Sequence, residues 1–247
     1  MSFGILLRDW RTRRRHSQMS LALEAEISTR HLCCLETGKS KPSREMIARL
    51  SDTLNIPRSH RNELLSAAGF ASAYSEREWD SEDLSVIRDA VTLMLDNHDP
   101  FPAFALDRHW TLLQLNKSAH HLVGALSLSV GSSMLDAIST DGPVAQAIEN
   151  LEEVQAHMRT RLQAESAKYG GDAILDAARA KLGPVAQSPS VQPAMVPVIF
   201  KLGDLRLSLF TVLASFSSVE DIALADMKVE LMFPADESTK AILNAGA

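Results

Sequence analysis

The sequence has 247 residues, 45% of them hydrophobic, and a formal net charge of −6 at pH 7. That length and apolar content suit one or two domains with buried cores and exclude wholesale disorder. No apolar run nears the roughly 18 residues of a membrane span, and the charges of "MSFGILLRDWRTRRR" follow its short apolar segment, so the chain reads as cytoplasmic, without membrane partner or signal peptide.

Charge is divided unevenly. Residues 1–70 hold 12 Lys/Arg against 7 Asp/Glu, net +5, and residues 71–247 hold 13 against 24, net −11. A basic face confined to the first third of an acidic protein points to a polyanionic partner there. The two cysteines, Cys33 and Cys34, are adjacent, which strains an intramolecular disulfide and matches no common metal-ligand spacing, so free thiols are expected.

In chain order, "FGILLRDWRTRR" places Phe3, Leu6, Leu7 and Trp10 at helical intervals, with Arg13, Arg14 and Arg15 at the negative end of the helix dipole. Ser17 caps a second helix bearing Leu21, Ala22 and Ala25; Ser28 caps a third bearing Leu32 and Leu35, which Gly38 ends. Ser43 opens a fourth with Met46, Ile47, Leu50 and Leu54, and "HRNELLSAAGFA" forms a fifth. Two short helices joined by a tight turn, the second exposing Thr29, Arg30, His31 and Cys34 while Leu32 and Leu35 point inward, have helix-turn-helix spacing.

The stretch "SQMSLALEAEISTRHLCCLETGKSKPS" resembles the helix-turn-helix of the Cro/phage-repressor (XRE) family, over residues 4 to about 70. The resemblance implies that Thr29, Arg30 and Cys34, with His31 nearby, face base edges of double-stranded DNA. It sets Gln18, Ser28, Lys39 and Lys41 against phosphates, and Arg11 and Glu36 as a structural ion pair tying the first helix to the end of the third. One departure is His16, where the family carries an apolar residue.

Acidic and small polar residues interrupt the pattern at 71–81, which reads as a linker between a domain at 1–70 and another at 82–247. "LSVIRDAVTLMLDNH" places Leu84, Ile87, Val91, Leu93, Met94 and Leu95 on one broad helical face, and "DP" stops it. Two strands, "FPAFAL" and "TLLQLN", precede a helix from about Lys117 to Val123. Residues 144–182 are Ala-rich and helical, and "GPVAQSPSVQPAM" is a connector. Three strands close the chain: "VPVIFKLG", "DLRLSLFTVLASFSS" and "DMKVELMFP". In the second, Leu205, Leu207, Leu209 and Leu213 share one face and Phe210, Val212 and Phe216 the other, so both faces are expected to be covered.

The fold class expected is multidomain: an all-α five-helix bundle followed by an α+β PAS-like domain, with about five antiparallel strands and helices across one face. The segments "DPFPAFALDRHWTLLQLNKSAHHLVG" and "LRLSLFTVLASF…MKVELMFPADESTKAIL" also resemble the MmyB-like ligand-binding domain of bacterial regulators, over roughly 82–245. That resemblance implies a small apolar effector such as a fatty acid. Phe104, Leu106, Leu113, Phe200, Leu207, Leu209, Phe210, Phe216 and Leu231 are candidates to line its cavity, and Arg108 or Arg206 to neutralise a carboxylate.

His109, His120 and His121 carry no metal-ligand pattern, and the last two diverge by about 100° on a helix. No phosphate loop, nucleophile elbow or motif-placed carboxylate pair occurs, so neither an enzyme nor a cofactor or metal is expected. The expected function is that of a one-component transcription factor binding a pseudo-palindromic site as a homodimer. The alternative is a constitutive DNA-binding regulator whose C-terminal domain serves only as a dimerisation or interaction scaffold.

Overall fold

Serine hydroxyls start three of the first five helices. Ser17, Ser28 and Ser43 accept hydrogen bonds from the backbone N–H of Ser20, His31 and Met46, satisfying donors that a helix leaves open. In this computed structural model, which describes residues 1–183, 195–216 and 221–246, they begin α2 (Gln18–Glu24), α3 (Thr29–Glu36) and α4 (Arg44–Thr53). With α1 (Phe3–Arg13) and α5 (Arg58–Ala67) these helices close around Phe3, Leu7, Trp10, Leu32, Leu50 and Leu64. Gly4 permits the approach of α1 to α3, because a Cβ there would stand 2.4 Å from the carbonyl oxygen of Glu36.

The bundle belongs to a first compact unit, Met1–Glu76, which also includes Glu165–Asp172. Within it, Arg13 Nη1 donates to the Gly170 carbonyl at 2.6 Å and Arg14 Nη2 to that of Lys168 at 2.8 Å. Both guanidiniums lie over the Trp10 ring.

The second unit contains α6 (Ser85–Asp96), β1 (Ala103–Leu106), β2 (Leu112–Leu115), α7 (Lys117–Ala125), α8 (Met134–Ala137), α9 (Pro143–Ala147), most of α10 (Leu151–Lys168) and α11 (Ala173–Lys181). After these come β3 (Val198–Leu202), β4 (Leu205–Ser215), most of α12 (Ile222–Ala225), β5 (Lys228–Pro234) and α13 (Glu237–Ala245). The strands form one antiparallel sheet in the order β2-β1-β5-β4-β3. The chain is therefore an all-α five-helix bundle followed by a PAS-like α+β domain. The expected connector lies almost wholly outside the described residues, as do the last residues of the expected "DLRLSLFTVLASFSS" strand.

Helices cover both faces of the sheet rather than one. On the first face, Phe104, Leu106, Phe200, Leu207 and Leu209 pack with Leu122, Leu135, Leu162 and Leu175 from α7, α8, α10 and α11. On the second, Ala103, Ala105 and Val229 meet Leu84, Val91, Leu95 and Leu224. The α6 face is narrower than its sequence suggests, since Leu93 turns outward and is 63% exposed. The far half of β4 is also less covered than expected, with Val212 and Leu213 exposed on opposite faces.

Asn116 joins three elements at the sheet edge. Its Oδ1 accepts from the N–H of Ala103 and Ala119, and its Nδ2 donates to the carbonyls of Leu95 and Phe101, with the residue 1% exposed. All four hydrogen-bonding capacities of the amide are used, and they bind the end of α6, the start of β1 and the start of α7. Replacing it with alanine strands several buried backbone groups, so Asn116→Ala should cost about 3 kcal/mol or more in urea unfolding; a loss under about 1 kcal/mol would refute this role.

Candidate functional site

The orientation of α3 is set from beneath. Arg11 Nε donates to Glu36 Oε1 at 2.6 Å and Nη2 to Oε2 at 3.2 Å, a bidentate pair with side chains 10% and 3% exposed. Arg11 Nη1 adds a bond to the His16 carbonyl at 2.8 Å. His16 thus serves through its main chain, and its ring nitrogen lies 3.1 Å from Ser20 Oγ. Gln18 Nε2 donates to Glu36 Oε2 at 2.7 Å, so the structure turns this amide toward the ion pair.

Leu32 and Leu35 anchor α3 in the core while Thr29 and Arg30 stand exposed, with His31 and Cys34 half-buried alongside. Ser28, Lys39 and Lys41 are exposed around them, the Ser28 hydroxyl being occupied as the helix cap. Cys33 and Cys34 are free thiols. Glu26 forms the turn between α2 and α3 at φ +55°, the left-handed conformation that lets the chain reverse there.

The residues expected to line a cavity divide between the two sheet faces. Phe104, Leu106, Phe200, Leu207 and Leu209 come together on the first. Leu113, Phe216 and Leu231 lie on the second, and Phe210 stacks on Phe233 at 5.5 Å. For Leu113 the cause is a register shift between Ala105 and Leu106, which pairs Leu106 with Leu112 and throws Leu113 across. Arg206 forms a two-bond pair with Glu149 at an exposed edge, and that hydrogen bond holds the Glu149 carboxyl below its ordinary range. The Arg108 carbonyl accepts from Lys228 Nζ at 2.9 Å. A groove of about 380 Å³ opens between the end of α7, α9 and the β3–β4 turn, lined by Ala125, Leu126, Pro143, Ala147, Lys201 and Leu202. Leu126, Ala147 and Leu202 also belong to the first-face core.

A polar cluster on that face was not singled out from sequence. Arg161 Nη1 stands 2.8 Å from Glu230 Oε1, side chains 21% and 8% exposed, and the Arg161 guanidinium lies 4.1 Å from the Trp110 ring centre. Lys228 Nζ lies 4.7 Å from the same ring. The available signal was Glu230 itself, an acid at an inward position between Val229 and Leu231.

Comparisons with known proteins agree with this division. The model of the MmyB-like transcription regulator ligand binding domain matches residues 87–245. The chain belongs to this MmyB-like family. A helix-turn-helix domain model matches residues 2–64, which makes this MmyB-like protein a DNA-binding transcription regulator. No curated protein matches the chain. Among solved structures, the PAS domain from Bordetella pertussis BvgS is similar at 9% identity and a TM-score of 0.32, over 66% of this chain and 96% of that one. Among the described residues, no helix is long and apolar enough to cross a membrane, and no cluster of His, Cys, Asp and Glu is arranged to hold a metal.

The ion pair beneath α3 carries a measurable load. Arg11→Met leaves Glu36 buried without its cation and should cost about 3–5 kcal/mol in urea unfolding. The double variant Arg11→Met/Glu36→Leu should recover most of that loss.

Proposed function

We propose that the protein is a one-component, non-enzymatic regulator of the Cro/phage-repressor type, cytoplasmic and bacterial. It binds a pseudo-palindromic operator as a homodimer and answers to a small apolar ligand, such as a fatty acid, held by its PAS-like domain. The observation that carries the DNA side is the exposed face of α3, with Thr29 and Arg30 outward above a buried bidentate anchor. Arg30 offers the planar fork that matches guanine O6 and N7, with Thr29, His31 and Cys34 as its neighbours along the groove. Lys39 and Lys41 supply sequence-independent contact with phosphate, Ser28 lies beside them, and Gln18 steadies Glu36.

Two copies would set their recognition helices about 34 Å apart, one turn of duplex. Regulation requires that the ligand prefer one arrangement of the dimer over another, since a ligand with equal affinity for both shifts nothing. The competing reading, a constitutive regulator with a C-terminal interaction scaffold, draws on Val86 and Leu93, which α6 exposes at 77% and 63%. Operator titrations with and without decanoate separate the two, because only the ligand-responsive reading requires the affinity to move.

Arg30→Ala should cost about 1–3 kcal/mol on the operator and relax base preference, whereas Lys41→Ala should weaken binding to all sequences and flatten the salt dependence. Equal losses for Arg30→Ala on operator and random DNA would remove it from sequence readout. Sedimentation of the full chain at micromolar concentration should give a dimer; a monomer would overturn the two-fold model.

A further inference from the structure

We propose that Arg161 is the acceptor for a ligand carboxylate in the PAS-like domain, and that Glu230 occupies it as an internal stand-in while no ligand is bound. The inference rests on the ligand-responsive reading above and narrows its ligand to an amphipathic carboxylic acid.

Four observations converge on this assignment. First, Glu230 sits on the helix-covered face of the sheet, paired in register with buried Phe104, where strand alternation calls for an apolar side chain. A buried carboxylate gains little net stability from its partner, because desolvation of both ions offsets their attraction. Exchange for another carboxylate requires Glu230 to turn toward solvent as Arg161 leaves it, since a carboxylate left buried without its cation is strongly disfavoured. Second, its geometry is incomplete: Arg161 Nη1 is 2.8 Å from Glu230 Oε1, yet that oxygen accepts no hydrogen bond. A ligand carboxylate, free to orient, can meet a guanidinium in a two-bond fork.

Third, the place is prepared for anionic charge. Arg161 and Lys228 lie 4.1 and 4.7 Å from the Trp110 ring, and Trp110 holds φ +67°, an unusual conformation for a bulky residue. Asp107 Oδ1 fixes that turn by accepting from the N–H of His109 and Thr111, both at 2.8 Å. Fourth, an exposed apolar side chain adjoins the pair. Leu213, the register partner of Glu230 on β4, points to the same face and is 47% exposed. It offers a surface on which an acyl chain can lie while its head reaches Arg161.

The helix that carries Arg161 suits such an exchange. In the second unit α10 contributes only Val154, Leu162 and the partly buried Leu151 and Met158 to the apolar core. Much of its remaining attachment is polar: Gln155 donates to the Ile138 carbonyl, and Arg159 to the carbonyls of Arg179, Leu182 and Gly183. Transfer of Arg161 from Glu230 to a ligand would alter its side-chain tie to β5.

Isothermal titration of the full-length protein with decanoate and with methyl decanoate, below their aggregation concentrations, tests the assignment. The acid should bind about 10- to 100-fold more tightly than the ester, the range expected for charge-assisted hydrogen bonds. Arg161→Gln should bring that ratio near one, and Glu230→Gln, which removes the internal competitor, should tighten the acid several-fold without changing the ester; circular dichroism melts check that each variant is folded. Equal affinities in the unaltered protein, or an acid preference that survives Arg161→Gln, would overturn the assignment while leaving apolar ligand binding intact. Binding of neither compound would overturn it together with the ligand-responsive reading.

Discussion

The outward face of α3 depends on the Arg11–Glu36 pair. A helix of eight residues cannot hold its own orientation; the buried apolar residues of α3 are Leu32 and Leu35, one turn apart on a single stripe. Rotation about that stripe is prevented by a bidentate guanidinium–carboxylate contact at the far end of α3, by Gln18 on the same carboxylate and by the close passage of α1 that Gly4 allows. A planar fork fixes direction as well as distance, which neither an apolar contact nor a lysine would do. Arg30 and Thr29 are held outward because Glu36 is held inward.

The second unit reaches rigidity by another route. Its sheet is pinned at one edge by Asn116, whose amide has no hydrogen-bonding capacity left over, and its two faces carry separate apolar cores. Against this frame α10 is fastened by scattered carbonyl bonds and by the ion pair of Arg161 with Glu230 on the sheet. Elements with few buried apolar contacts occupy the low end of local stability, where conformational response is found.

How much of this was legible in the sequence depended on range. Ser17, Ser28 and Ser43 could be read as caps because the bond runs to a residue three positions away. Strand parity was legible too, but parity does not say which face a residue meets; that is decided by pairing register, and the irregularity beside Leu106 sends Leu113 to the face opposite Leu115. The Ala-rich stretch after residue 143 reads as continuous helix up to Tyr169, yet Ile148 is extended and bridged to Phe200, which parts α9 from α10. The cap signal of Asp236 for α13 is local and was available, whereas Arg161 and Glu230 meet only through the sheet. Arg11 and Glu36 were legible through family resemblance rather than periodicity.

The three tryptophans of the chain fall one to each apolar core: Trp10 in the helical bundle, Trp110 on the first sheet face and Trp79 against the second. Indole emission is sensitive to local polarity, so variants retaining one tryptophan at a time would make each core an independent optical probe. The order in which the bundle and the two sides of the sheet loosen under denaturant can then be followed without any added label.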